Sequence, residues 1–304
     1  MSTETLRAGG RSIEISNADK VLFPDDGIAK YELARYYQQV APAVIRYTRG
    51  RPLAMERYPD GIGGEAVFQK NVPGHFPDWV NRVEVPKKEG GVTEHAVCDD
   101  AATLVYLADQ ACVTPHAWLS RTDALERPDR LVLDLDPPER DLDLLRSAAR
   151  EVRAALEELG LVPFLLATGS RGYHVVAPLR RQHTFDQTRD FARRLATALA
   201  ERRPHDLTTE QRKDERGDRI FLDYLRNAYA QTAVVPYAVR AKPGATVATP
   251  LAWDELETTD PWHHTIESAL DRLDRQGDRW SDFHNRARSL RKPEQRLQQL
   301  HPDT

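Results

Sequence analysis

The stretch "RLVLDLDPPE", residues 130–139, sets two carboxylates one residue apart in an otherwise apolar run and closes it with two prolines. In a strand the side chains alternate, so Val132, Asp134 and Asp136 share one face while Leu131, Leu133 and Leu135 share the other. Ionised carboxylates held that close repel each other and are costly to bury, so the pair needs a proton, cationic side chains or a metal ion between them. The stretch asks for a cation.

Beyond it, Leu142, Leu145, Ala149, Val152, Leu156 and Leu159 recur at spacings of three and four before Gly160, the clearest helix in the chain. "VPFLLAT" and "YHVVAPL" then read as strands, a helix carries Phe185, Phe191, Leu195 and Leu199, and "RIFLDYL" is a further strand. Towards the N-terminus, "RSIEI" alternates as a strand and leads to a helix with Leu33, Tyr36, Tyr37, Val40 and Val44 on one face. Short strands are predicted at 52–57, 66–70, 81–86 and 93–97, punctuated by "DGIGG" and "KKEGG". "DDAATLVYLADQA" predicts a helix capped by Asp99 or Asp100, and "VTPHAWLS" a strand after it. This order predicts an α+β fold with a mixed, largely antiparallel central sheet flanked by helices, and a β-rich N-terminal region. One domain over 1–300 is expected, with parts 1–125 and 126–300, since no repeat or long linker separates independent domains.

The 304 residues can bury a substantial core, and no apolar run approaches the length of a membrane span. The polar start "MSTETLRAGG" lacks the pattern of a signal peptide, so a cytoplasmic location is expected. Cys98 and Cys112 form no close-spaced metal motif and read as reduced, buried fillers. Lys and Arg number 43 against 47 Asp and Glu, a net charge of −4, so any nucleic-acid site must be local.

Three further features bear on the aspartates. In "LATGSRGYHVV", Gly169 and Gly172 flank Ser170 and Arg171 between Thr168 and His174, a turn whose amides, hydroxyls and cations could cradle phosphates. It is not a Walker loop, and an ordinary hairpin with a satisfied histidine fits the same residues. Asp223 in "RIFLDYLRN" could complete a three-carboxylate set, whose hard oxygens suit Mg²⁺ or Mn²⁺. Arg240 ends the apolar segment "VPYAVRAK".

In this order the residues resemble the polymerase domain of bacterial ATP-dependent DNA ligase D, a branch of the archaeo-eukaryotic primase superfamily. The resemblance rests on "LDLDPP", "TGSRGYH" and "FLDYLRN", supported by "NADKVLFP", "PHAWLSR", "VVPYAVRA" and "VATPLAWDEL". It implies a template-directed nucleotidyltransferase that fills gaps and extends ends in DNA break repair, ribonucleotides being accepted. It further implies that Asp134, Asp136 and Asp223 hold two divalent cations, Mn²⁺ or Mg²⁺. His116, Thr168, Ser170, Arg171, His174, Arg226 and Arg240 are then expected to serve the incoming NTP or dNTP. Residues 1–125 become the DNA-end-binding part, with Lys20 and Lys30 for a 5′-phosphate and Phe68 for the template end, and 126–300 the catalytic part. Ku and a separate ATP-dependent DNA ligase are candidate partners, with a nucleoid-associated location and no membrane role.

The chain departs from the family pattern at Thr168, Arg171, Arg226 and Glu56, where serine, lysine, glutamine and a basic residue are common. The first two keep a hydroxyl and a cation; the last two leave nucleotide preference and primer contacts open. With no ligase lysine motif or nuclease region, a stand-alone protein or an excised domain is expected. A dedicated primase and a non-catalytic end-bridging module are the alternatives, the second disfavoured because clustered carboxylates repel phosphate.

Overall fold

A computed structural model of the chain describes residues 2–87, 89–138 and 141–300. The chain divides into two compact units, one of residues 1–123, 232–249 and 264–277, the other of 124–231, 250–263 and 278–304.

The second unit is built on the aspartate strand. In its sheet the strand order is Leu207–Thr208, Ile220–Asp223, Arg130–Asp136, Tyr173–Pro178, Phe164–Ala167 and Thr249–Leu251. Arg130–Asp136 runs antiparallel to both neighbours, whereas Leu207–Thr208 is parallel to Ile220–Asp223. Alternation sends Leu131, Leu133 and Leu135 into one apolar cluster with Leu165, Val175 and Leu222. The helix Leu142–Glu158 adds Leu145, Ala149, Val152 and Leu156 to that cluster, and the helix Phe185–Arg202 adds Phe191, Leu195 and Leu199. Each buried leucine contributes about 2 kcal/mol, so three on one strand offset much of the cost of crowding charge on its other face.

Local signals set the ends of these helices. The Asp141 side chain accepts the Leu144 amide and caps the first. It stops where Leu161 N–H reaches back to the Leu156 carbonyl around Gly160, whose φ of +89° few other residues adopt. Thr184 and Gln187 exchange reciprocal hydrogen bonds at the start of the second helix.

In the first unit a four-stranded antiparallel sheet has the order Thr232–Val234, Cys112–Trp118, Leu53–Arg57 and Val67–Gln69. The 19-residue helix Lys30–Thr48 buries Leu33, Tyr36, Tyr37, Val40 and Val44, the face its spacing predicts. The helix Ala101–Asp109 is capped by Asp100, which accepts the Thr103 amide at 2.7 Å. Arg11–Ser16 pairs with Thr3–Ala8 in an antiparallel hairpin. The mixed α+β architecture with largely antiparallel sheets flanked by helices is the one expected from the sequence. Both cysteines are free and buried. Among the described residues no helix is long and apolar enough to cross a membrane.

Candidate active site

The polar face of the second unit's sheet gathers the three aspartates. Asp134 lies opposite His174 on one neighbouring strand and opposite Asp223 on the other, and Asp136 follows two residues on, facing the same way. The cation demanded by the sequence is present as protein. His174 Nε2 is 3.4 Å from Asp134 Oδ2, and Arg226 reaches Asp134 at 3.2 Å and Asp223 at 3.7 Å. Asp136 meets Arg216 at 3.3 Å and Arg171 at 3.4 Å.

These partners govern protonation. Burial works to raise the Asp134 pKa, but His174 and Arg226 outweigh it and hold it down at about 2. Asp223 is pushed above the usual carboxylate range by its burial and by the charge of Asp134. Among the described residues no three His, Cys, Asp or Glu side chains stand close enough together to hold an ion as they are. Three carboxylates on one face nevertheless supply the hard oxygen donors that Mg²⁺ or Mn²⁺ takes, so the donor set fits such an ion once the guanidinium groups give way.

Two residues that sequence reasoning missed hold this face in place. Arg216 donates to the carbonyls of Glu210 and Gln211 and stacks 3.9 Å over the Phe221 ring, so its contact with Asp136 comes from a fixed side chain. Nothing in the charged run "KDERGDR" sets it apart. Asn227, fully buried, takes the place of a neighbouring strand at Val132. Its side chain accepts the Val132 amide at 2.9 Å and donates to the Val132 carbonyl at 2.6 Å and to the Tyr224 carbonyl. The Asp223 carboxylate also accepts the Leu225 amide at 2.7 Å, so the turn Leu225–Asn227 is fastened at both ends.

The glycine turn is closed by its own hydrogen bonds. Thr168, buried, donates its hydroxyl to the Gly172 carbonyl and accepts the Ser170 amide, while the Gly169 amide goes to the Pro261 carbonyl. Thr168 therefore closes the turn, Ser170 is half-buried, and Arg171, with 55% of its side chain exposed, reaches Asp136. Gly172 has a steric cause: a Cβ there would lie 1.9 Å from the Leu135 carbonyl oxygen.

In the first unit, register places Glu56 opposite both Phe68 and Thr114, with His116 two residues beyond Thr114 on the same face. Glu56 accepts from Tyr58 at 2.7 Å and lies 3.0 Å from His116 Nε2, and the half-exposed Phe68 packs edge-on against the His116 ring. Burial opposes ionisation of Glu56, but the hydrogen bonds of His116 and Tyr58 prevail and its pKa falls to about 2.

Arg240 stands on a clamped backbone. The Val239 amide donates to the Tyr37 hydroxyl and the Val239 carbonyl accepts from Thr114, while the Arg240 amide bonds the Thr246 carbonyl. Three residues earlier Tyr237 holds a φ of +68°, costly for so large a residue, with its carbonyl accepting from Tyr36 and its amide donating to Ala248.

The two lysines differ sharply. Lys20 has 41% of its side chain exposed and pairs with Asp60, whereas Lys30 is buried and directs its ammonium to Ser16, the Asp109 carbonyl and the Asp109 carboxylate. The two residues are neighbours, the Lys30 amide donating to the Lys20 carbonyl at 2.9 Å, and in this structure each ammonium faces its own carboxylate.

The family model for the LigD primase-polymerase domain matches residues 29–280. The chain belongs to that family. It is 33% identical over 269 residues to the multifunctional non-homologous end joining protein LigD of Mycolicibacterium smegmatis, covering 88% of this chain and 35% of that protein. To the bifunctional non-homologous end joining protein LigD of Bacillus subtilis it is 32% identical, covering 90% of this chain and 44% of that protein. The chain thus spans less than half the length of either relative. The solved polymerase domain of Mycobacterium tuberculosis ligase D, in complex with DNA, superposes with a TM-score of 0.84 at 31% identity, covering 90% of this chain and 99% of that one. All three aspartates lie within the stretch that the LigD primase-polymerase family model matches.

Proposed function

We propose that this LigD-type domain is a template-directed nucleotidyltransferase that fills gaps and extends ends in bacterial end joining. Asp134, Asp136 and Asp223 are its metal-holding carboxylates. The observation that carries the reading is the convergence of these three on one face of two neighbouring strands, above an apolar core that gains nothing from them. Bound there, Mn²⁺ or Mg²⁺ would ease ionisation of a primer 3′-hydroxyl and neutralise the leaving phosphates. The new bond joins the 3′-oxygen to the α-phosphorus, and pyrophosphate departs.

Arg171, Ser170 and His174 lie on the turn and strand beside the carboxylates and supply donors for triphosphate oxygens. Arg240 and His116 are proposed nucleotide contacts of the first unit, and Phe68, with 51% exposure, a surface for a template base. Lys20 is the exposed lysine proposed for a 5′-phosphate; Lys30 joins it only by giving up Asp109. Ku and a separate ligase are the partners this activity calls for.

The test is extension of a gapped duplex carrying a 5′-phosphate, with NTPs and dNTPs side by side in Mg²⁺ or Mn²⁺. Asp134→Ala, Asp136→Ala and Asp223→Ala should each lower the rate by more than about a thousandfold, a loss of several kcal/mol, while DNA binding persists. Extension near the wild-type rate by any of them would remove the metal site. An unprimed template in the same assay separates extension from primase-type initiation.

A further inference from the structure

We propose that the Arg226 guanidinium is a resident substitute for a metal ion, holding Asp134 and Asp223 together until a divalent cation displaces it. The inference rests on the metal-holding reading of the aspartates given above.

Asp134 and Asp223 face each other across neighbouring strands, and two carboxylates so placed require a positive charge. Arg226 supplies it to both, with Nη2 and Nε each 3.2 Å from Asp134 Oδ2 and Nε 3.7 Å from Asp223 Oδ2. The other cations at this face do not bridge the pair: Arg216 and Arg171 meet Asp136, and His174 meets Asp134 alone. Arg216 is pinned by two carbonyls and an aromatic ring, and the His174 side chain is 7% exposed within its strand. Arg226 combines a fixed base with a free end: its neighbour Asn227 is fully buried with three hydrogen bonds, while 41% of the Arg226 side chain is exposed.

Such a side chain can swing outward without disturbing the sheet. Binding of a cation by Asp134 and Asp223 must therefore release Arg226, and release frees its donors for an anion. Metal occupancy and the availability of this guanidinium for triphosphate oxygens become one event. Arg226 then stabilises the metal-free protein and weakens its metal affinity by the same contacts.

The test measures Mn²⁺ binding through the electron paramagnetic resonance of free Mn²⁺, with melting temperature in excess EDTA as a second readout, on wild type, Arg226→Gln and Arg193→Gln. Arg226→Gln should bind Mn²⁺ about tenfold more tightly and melt about 3 °C lower without metal. Arg193→Gln removes the same charge from an exposed helix pair with Asp190 and should shift the Mn²⁺ affinity less than about twofold. Equal Mn²⁺ affinity in wild type and Arg226→Gln, or an equal gain in Arg193→Gln, overturns the inference and leaves the metal reading standing. Mn²⁺ binding that is absent from every protein, or that survives Asp134→Asn unchanged, overturns both.

Discussion

At Glu56 a single carboxylate accepts from Tyr58, faces the His116 nitrogen and shares a sheet face with Phe68. Its folded pKa of about 2 lies below the ordinary 4.5, so the ionised form contributes stability above 4.5, and that contribution fades as pH falls towards 2. Glu56→Gln should cost about 1–2 kcal/mol at pH 7 in urea unfolding, with the difference from wild type shrinking at pH 3. A gap of equal size at both values would show that charge is not its source. Sequence singled out Glu56 only as a departure in charge, because His116 and Phe68 come from other strands. Lys30 shows the reverse: a lysine at a helix start suits an anion on sequence grounds, yet its ammonium lies buried against Asp109, whose nearness no local pattern reports.

The turn Leu225–Asn227 works as an element, since it finishes a sheet edge that the short strand Ile220–Asp223 leaves incomplete beyond Asp134. Removing the Asn227 amide leaves both polar backbone groups of Val132 without this partner. Asn227→Ala should therefore cost about 3 kcal/mol in urea unfolding, and Asn227→Asp, which turns the donor into an oxygen facing the Val132 and Tyr224 carbonyls, should cost at least as much. A loss under about 1 kcal/mol in the alanine variant would reject the strand-substituting role. Elements with strong periodicity or clear caps were legible: the helices at Leu142–Glu158 and Phe185–Arg202 and the aspartate strand all fall where spacing puts them. The first strand, Thr3–Ala8, was not, because only its pairing with Arg11–Ser16 gives its polar residues a regular role. Arg216 was hidden for a related reason: its fixity comes from Phe221 and two carbonyls, not from its neighbours in "KDERGDR".

Across the whole molecule, 43 basic and 47 acidic residues give a net charge of −4, so the proposed affinity for DNA has to come from a few placed cations. Lys20 is the cation proposed for a DNA phosphate, and a footprint of no more than about three phosphates gives a slope of log affinity against log salt no steeper than about −3. Titration of a labelled gapped duplex at several KCl concentrations measures it. A slope steeper than about −6 would mean a broad cationic surface and overturn the local-site view. The chain order within the units was beyond reach of the sequence. Thr232–Val234 returns to pair with Cys112–Trp118 more than a hundred residues earlier, and alternation states that a strand exists without naming its neighbour.

Gly172 shows how little freedom the aspartate face leaves its own scaffold. The Leu135 carbonyl, between the two aspartates, occupies the space that any side chain at 172 would need. Of twenty amino acids, nineteen begin with that carbon, so no conservative replacement exists and no single-step path through alanine or serine is open. A lineage could vary Thr168, Arg171 or Arg226 around this point and retune chemistry. The position itself can change only if the aspartate strand moves with it.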